Sequence, residues 1–145
     1  MKIVTIALGA AAILSAGAAI AAAADVIKTR QAGQGLLAGD YTAMLAVVAA
    51  KGDIKKLENP AKAMARWIRN FPDQFPPGTD KGENTRALPA VWSDPAGFQK
   101  AAENFAGAAD KLAELAKAGD SEQFAAQLKA MGDACAACHR NFRAR

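Results

Sequence analysis

The sequence predicts an all-α fold, an antiparallel four-helix bundle with a long loop between the second and third helices. Three observations carry this. Apolar side chains recur every three or four residues in four separate segments. No stretch alternates apolar and polar residues as a half-buried strand would. Between the second and third periodic segments, residues 71–93 gather Pro72, Pro76, Pro77, Gly78, Gly82 and Pro89, which punctuate a chain rather than propagate a helix.

The first residues read as a cleaved signal peptide, residues 1–24. Lys2 precedes an uncharged apolar run, and an Ala-rich stretch with small residues at every cleavage-compatible position follows. A retained anchor is the alternative, because Ile3 to Ala24 is uncharged and nearly long enough to span a bilayer. The Ala and Gly content of the run favours the leader. Residues 25–145 then form the bundle, with no second apolar span and no stable membrane insertion after cleavage. Loss of Lys2 takes one from 18 basic residues against 14 acidic ones, and the charges are mixed along the chain. No basic block asks for nucleic acid. Export into a bacterial periplasm, an oxidising compartment, is the expected destination.

The first helix carries Ile27, Arg30, Gln34, Leu37, Tyr41, Met44 and Val48 on one seam. The second carries Ile54, Leu57, Ala61, Met64 and Ile68. Its start has two readings: a helix capped by Asn59 with Pro60 first, or one that begins near Asp53 and kinks at Pro60. Asp94-Pro95 opens the third helix, proline being suited to the first helical position. Phe98, Ala101, Phe105, Ala108, Leu112 and Leu115 form its seam, and Ala118-Gly119 closes it. Asp120 to Gln123, "DSEQ", opens the fourth helix like a capping box. Its seam is Phe124, Leu128, Met131, Cys135, Cys138 and Phe142. A repeat near 3.5 residues suits helices packed almost antiparallel. Alanines at seam positions 61, 101, 108 and 134 let the helices close up or leave room for a guest.

Both cysteines and the only histidine fall within five residues, "CAACH". On a helix, Cys135 and Cys138 share a face one turn apart, and His139 lies four residues from Cys135. Cys-x-x-Cys-His is the attachment signature of c-type haem: two thiols add across vinyl groups and the imidazole reaches the iron. Other readings fit less well. A redox dithiol expects a βαβ setting. A structural zinc site wants four ligands where three exist. A disulfide between residues three apart in one helix is strained. One covalent haem c, held inside the bundle, is therefore the expected cofactor. With no second histidine, the sixth iron position falls to a methionine, to something weaker, or to nothing. Met131 shares a helix and a face with His139, so Met44 and Met64 are the methionines to weigh.

Taken with "VIKTRQA", "FPPGTD", "LPAVWSDPAGF" and "LAKAGD", the "CAACHRNFR" stretch resembles the class II c-type cytochromes, the cytochrome c′ family, over essentially all of residues 25–145. The resemblance implies that Cys135 and Cys138 hold the haem, that His139 is the axial ligand, and that Arg30 and Gln31 lie near the haem propionates. It also implies that Thr79 and Asp80 belong to a loop approaching the haem, and that Arg143 lies on the proximal side. Leu37, Tyr41 and Phe142 complete the expected haem surroundings. Members often form homodimers through their first two helices, although Lys28, Lys55, Lys56, Lys62, Arg66 and Arg69 disfavour a tight apolar interface here.

One position departs from the pattern. Four residues beyond Arg30, the electron-carrying branch of the family has an iron-ligating methionine, and the cytochrome c′ branch has an apolar residue over an open iron face. This chain has Gln34, flanked by Gly33 and Gly35. An amide ligates iron poorly but hydrogen-bonds well. The expected function is thus a non-enzymatic haem protein with an open or weakly occupied sixth position. It would bind small gases such as nitric oxide and carbon monoxide, or exchange electrons with periplasmic redox partners. The alternative is a six-coordinate electron carrier with Met44 or another unexpected ligand. No paired carboxylates, Ser/His couple or phosphate loop suggests catalysis by the chain itself.

Overall fold

The computed structural model describes residues 7–145, with side chains from residue 21 onward. The leader expected over residues 1–24 lies outside the described residues as far as residue 6, and outside the described side chains as far as residue 20. The first helix, α1, spans Ala7–Ala49. It therefore runs back through the Ala-rich segment without a break at residue 25. Among the described residues no helix is long and apolar enough to cross a membrane.

The second helix begins at Asp53, as one of the two readings had it, but through a 3-10 turn rather than with a kink at Pro60. Asp53 accepts a hydrogen bond from Lys55 N at 3.0 Å and caps a 3-10 turn, Ile54–Leu57, that runs directly into α2, Glu58–Arg69. Pro60 is the third residue of α2, within the first turn, where a missing N–H leaves no intrahelical bond unmade. No kink is required. The long link is also less irregular than expected. It contains a 3-10 turn at Pro72–Gln74 and a one-turn helix, α3, Ala90–Ser93. Gly78 and Gly82 adopt positive φ of 83° and 92° within it, a conformation that glycine tolerates without strain.

The remaining boundaries follow the sequence closely. Asp94 accepts from Gly97 N at 2.9 Å and opens α4, Pro95–Ala118, which Gly119 closes at φ 76°. Asp120 accepts from Gln123 N at 3.0 Å and opens α5, Ser121–Phe142. The Gln123 amide returns to the Asp120 carboxylate rather than to its backbone N–H, so only half of a capping box forms.

Four long helices, α1, α2, α4 and α5, make the bundle. The α4 helix packs closely on both α2 and α5, whereas α1 touches the others sparsely. Alanines 102, 106, 109, 113 and 116 are all buried on α4, which is why its neighbours approach it so nearly. The main core joins Met44, Met64, Phe105, Leu112, Phe124, Leu128 and Met131. Each such side chain contributes about 1.5–3 kcal/mol by leaving water. A second cluster of Val91, Phe98 and Phe142 lies where the link crosses the end of α5. There Leu88 N donates to Phe142 O at 3.0 Å and Ala144 N to Arg86 O at 2.8 Å, which clips the link to the C-terminal residues. The space that α1's stand-off leaves is where the site lies.

Candidate haem site

The last turns of α5 carry the ligand-type side chains. Cys135 and Cys138 are free, half-buried and one turn apart, and both line a cavity of about 820 Å³ together with His139. Its walls are apolar, with Leu37, Ile68, Phe71, Phe98, Phe105 and Phe142 facing inward, and its rim is polar. Burial pushes the Cys135 thiol up to about 11, helped by the neighbouring Cys138, and burial raises Cys138 as well. Both stay protonated at neutral pH, which suppresses the thiolate reactions that an oxidising compartment invites. The imidazole of His139 titrates below its ordinary range, first through partial burial and then through the positive charge of Arg86. It is therefore neutral, the form that binds metal. Arg143 Nη1 lies 3.4 Å from His139 Nδ1.

From α1, the cavity receives Arg30, only 3% exposed. Its guanidinium donates to Gln74 O at 3.1 Å, to Thr79 Oγ1 at 2.9 Å, to Thr79 O at 2.6 Å and to Thr85 Oγ1 at 2.9 Å. It also sits 4.2 Å from the centroid of the Phe75 ring. Every one of these acceptors is neutral, and no carboxylate pairs with Arg30 among the described residues. Burial pulls its pKa down, but a guanidinium stays charged. Because Arg30 also lines the cavity, a guest bearing carboxylates would meet an uncompensated positive charge. Gln31 donates to Glu83 O at 2.8 Å and also lines the cavity.

The two glycines beside Gln34 have separate explanations. A Cβ on Gly33 would overlap the Trp67 ring, so Gly33 lets α2 press against α1. A Cβ on Gly35 would meet nothing within 4 Å, and this residue lines the cavity. Gln34 and Tyr41 line it too, and the Tyr41 hydroxyl lies against Gly132 of α5. Met44, Met64 and Met131 do not reach the cavity wall; each is buried in the main core. This counts against Met44 as an iron ligand. Thr79 serves as an acceptor for Arg30 and Asp80 faces solvent, so neither is part of the lining.

An apolar slot with a Cys-x-x-Cys-His donor set at one wall and an unpaired guanidinium at another fits a haem in size, polarity and chemistry. Residues 25–143 match the family described as Cytochrome C′. The chain belongs to the cytochrome c′ family. Its cofactor is covalent haem c, for which Cys135, Cys138 and His139 form the attachment motif. Cytochrome c′ from Rubrivivax gelatinosus is 40% identical over 121 residues, which is 82% of this chain and 94% of that protein. A crystal structure of the same Rubrivivax protein superimposes with a TM-score of 0.75, covering 84% of this chain and 97% of that one. Cytochrome c-556 from Agrobacterium tumefaciens is 34% identical over 66% of this chain and 70% of its own. Relatives thus come under two names, and the distal wall must be read from this chain's own residues.

Several site residues escaped the sequence. Phe75, Thr85 and Arg86 lie in a link with no period, and Trp67 meets Gly33 across two helices. Only the cost of placing two glycines inside a helix signalled that contact.

Proposed function

We propose that this member of the cytochrome c′ family is an exported periplasmic haem protein whose sixth iron position has no strong protein ligand and accepts small gases. The observation that carries this is the absence of any methionine from the described cavity lining, in a chain whose only histidine is His139. Relatives lend support: variants of cytochrome c prime from Alcaligenes xylosoxidans, 29% identical with a TM-score of 0.75, have been solved as a nitric oxide complex and with carbon monoxide bound. Cys135 and Cys138 would form the thioethers and His139 would take the fifth position. Arg30 and Gln31 would face the carboxylate edge, with Leu37, Phe142 and Arg143 packing around the site. Haem, when bound, supplies ligand binding and one-electron chemistry. The chain itself is assigned no catalytic residue, and electron exchange with a periplasmic partner is compatible with the same site.

The test is the ferrous absorption spectrum with and without carbon monoxide. An open position shifts the spectrum on adding the gas; a sharp low-spin spectrum that ignores it would favour the six-coordinate carrier and overturn this reading. Intact mass separates the cofactor from these alternatives. Protein exported with haem-ligation machinery should carry one haem, and replacing Cys135 and Cys138 by Ala should return the bare, leader-free polypeptide mass. We also infer self-association along α1, whose outward face carries Ala32, Gly39, Ala43 and Ala46 with exposed Leu36 and Leu45 on its flanks.

A further inference from the structure

Several surface cations pair with carboxylates along their own helix, as Lys62 does with Glu58 and Lys129 with Asp133. At the end of α5 the pattern changes. Arg86, Arg140, Arg143 and Arg145 are all exposed, and none forms an ion pair among the described residues. Two stretches distant in sequence supply them. Ala144 N donates to Arg86 O at 2.8 Å and Ala87 bridges to Arg143, so the link brings its arginine against the C-terminal three. Arg86 and Arg143 also line the cavity beside Cys138 and His139, and His139 is itself exposed. The patch therefore borders the wall that carries the axial imidazole. Its composition is selective, since four of the chain's seven arginines gather there. Lysine would serve solubility as well. Arginine is the cation enriched at interfaces, being weakly hydrated and forked to match a carboxylate.

We propose that Arg86, Arg140, Arg143 and Arg145 form the docking face for a redox protein with an acidic surface, and that electrons cross there. This deepens the electron-exchange reading above. It rests on haem held by Cys135, Cys138 and His139 and is independent of the sixth position. One electron passes between the bound haem and the partner's own redox centre, so no bond breaks and no proton moves. At this wall the ligand residue reaches the surface, so a partner seated on the patch meets no intervening layer of protein. Unneutralised cations beside it speed encounter with an acidic face and fix its register. A membrane surface would ask for apolar anchors among the cations, and the large exposed apolar side chains, Leu36 and Leu45, belong to α1 instead.

The test measures reduction of the ferric holoprotein by ferrous EDTA, a dianion, and by hexaammineruthenium(II), a dication, with rates compared at equal driving force. In the wild type, rising salt should slow the first and speed the second. Arg140→Gln/Arg145→Gln removes two charges that do not line the cavity. Lys55→Gln/Lys56→Gln removes the same charge beside Gly119, at the far end of α5 and about 30 Å from His139. At about 0.1 M salt the arginine variant should react about threefold more slowly with ferrous EDTA, and the lysine variant should match the wild type. Poly-L-glutamate, standing in for an acidic protein face, should slow ferrous EDTA in the wild type and the lysine variant but far less in the arginine variant. Equal effects in the two variants would reduce the patch to net charge and overturn the proposal. Slowing by phosphatidylglycerol vesicles but not by polyglutamate would overturn it in favour of a lipid surface. A holoprotein that neither reagent reduces would overturn electron exchange itself, and this inference with it, while gas binding is judged separately by the carbon monoxide spectrum.

Discussion

Arg30 carries more of the architecture than any other charged side chain. One guanidinium satisfies Gln74, Thr79 and Thr85, three points spread along the link, and stacks on Phe75. Each hydrogen bond from a charged donor is worth about 1.5–3 kcal/mol when its partner would otherwise be stranded. Water reaching the freed carbonyls offsets part of that. Arg30→Ala should therefore lower holoprotein stability by about 3 kcal/mol, measured as a lower urea midpoint. Arg30→Lys should keep the charge but lose the fork that reaches several acceptors, and recover less than half of the loss. A midpoint within error of the wild type in both variants would mean that the link is held by its apolar contacts alone.

At the scale of the helix, two glycines make opposite predictions. Gly107 sits on the exposed face of α4 with nothing within 4 Å of an added Cβ, so Gly107→Ala should raise stability by about 1 kcal/mol through helix propensity. Gly33→Ala gains the same propensity but drives its methyl into the Trp67 ring. It should be destabilising by about 1–3 kcal/mol, with a change in tryptophan fluorescence as α2 is pushed off α1. Thermal melts of the two variants check the contrast, and a stabilised Gly33→Ala would show that the ring moves aside freely. This pair also shows what was legible in the sequence. The seams were, because Phe98, Phe105, Leu112, Phe124, Leu128 and Met131 recur at a period that only a helix satisfies. So were the stops at Asp94-Pro95 and Gly119, where one residue's backbone chemistry decides the structure. Cys135, Cys138 and His139 were legible as chemistry, independent of the fold. The partners of Arg30 were not, since Thr79, Thr85 and Phe75 are set by a non-periodic link whose course depends on tertiary contacts. Pro60 misled in a smaller way. A start near Asp53 was anticipated, but the 3-10 geometry that carries the chain from there into α2 without a kink leaves no mark of its own.

Across the whole molecule, α1 is the least embedded helix. Between Lys28 and Lys51 its outward surface holds no basic residue, and Ala32, Gly39, Ala43 and Ala46 present a smooth strip. Of the cations that argued against an apolar contact, Lys28 lies on α1 beyond one end of this strip, whereas Lys55, Lys56, Lys62, Arg66 and Arg69 belong to the 3-10 turn and α2. Sedimentation velocity should find a dimer at micromolar concentration, and Ala43→Arg should convert it to a monomer with an unchanged haem spectrum. A wild-type protein that sediments as a monomer throughout would remove α1 as an interface. The same loose helix bears on how a bulky, flat guest is held. Arg30 laces α1 to three separated points of the crossing segment, and Lys28 and Gln31 add ties at Glu83. Once a prosthetic plate is seated, its own acidic edge would give that guanidinium a charged partner and tighten the lace.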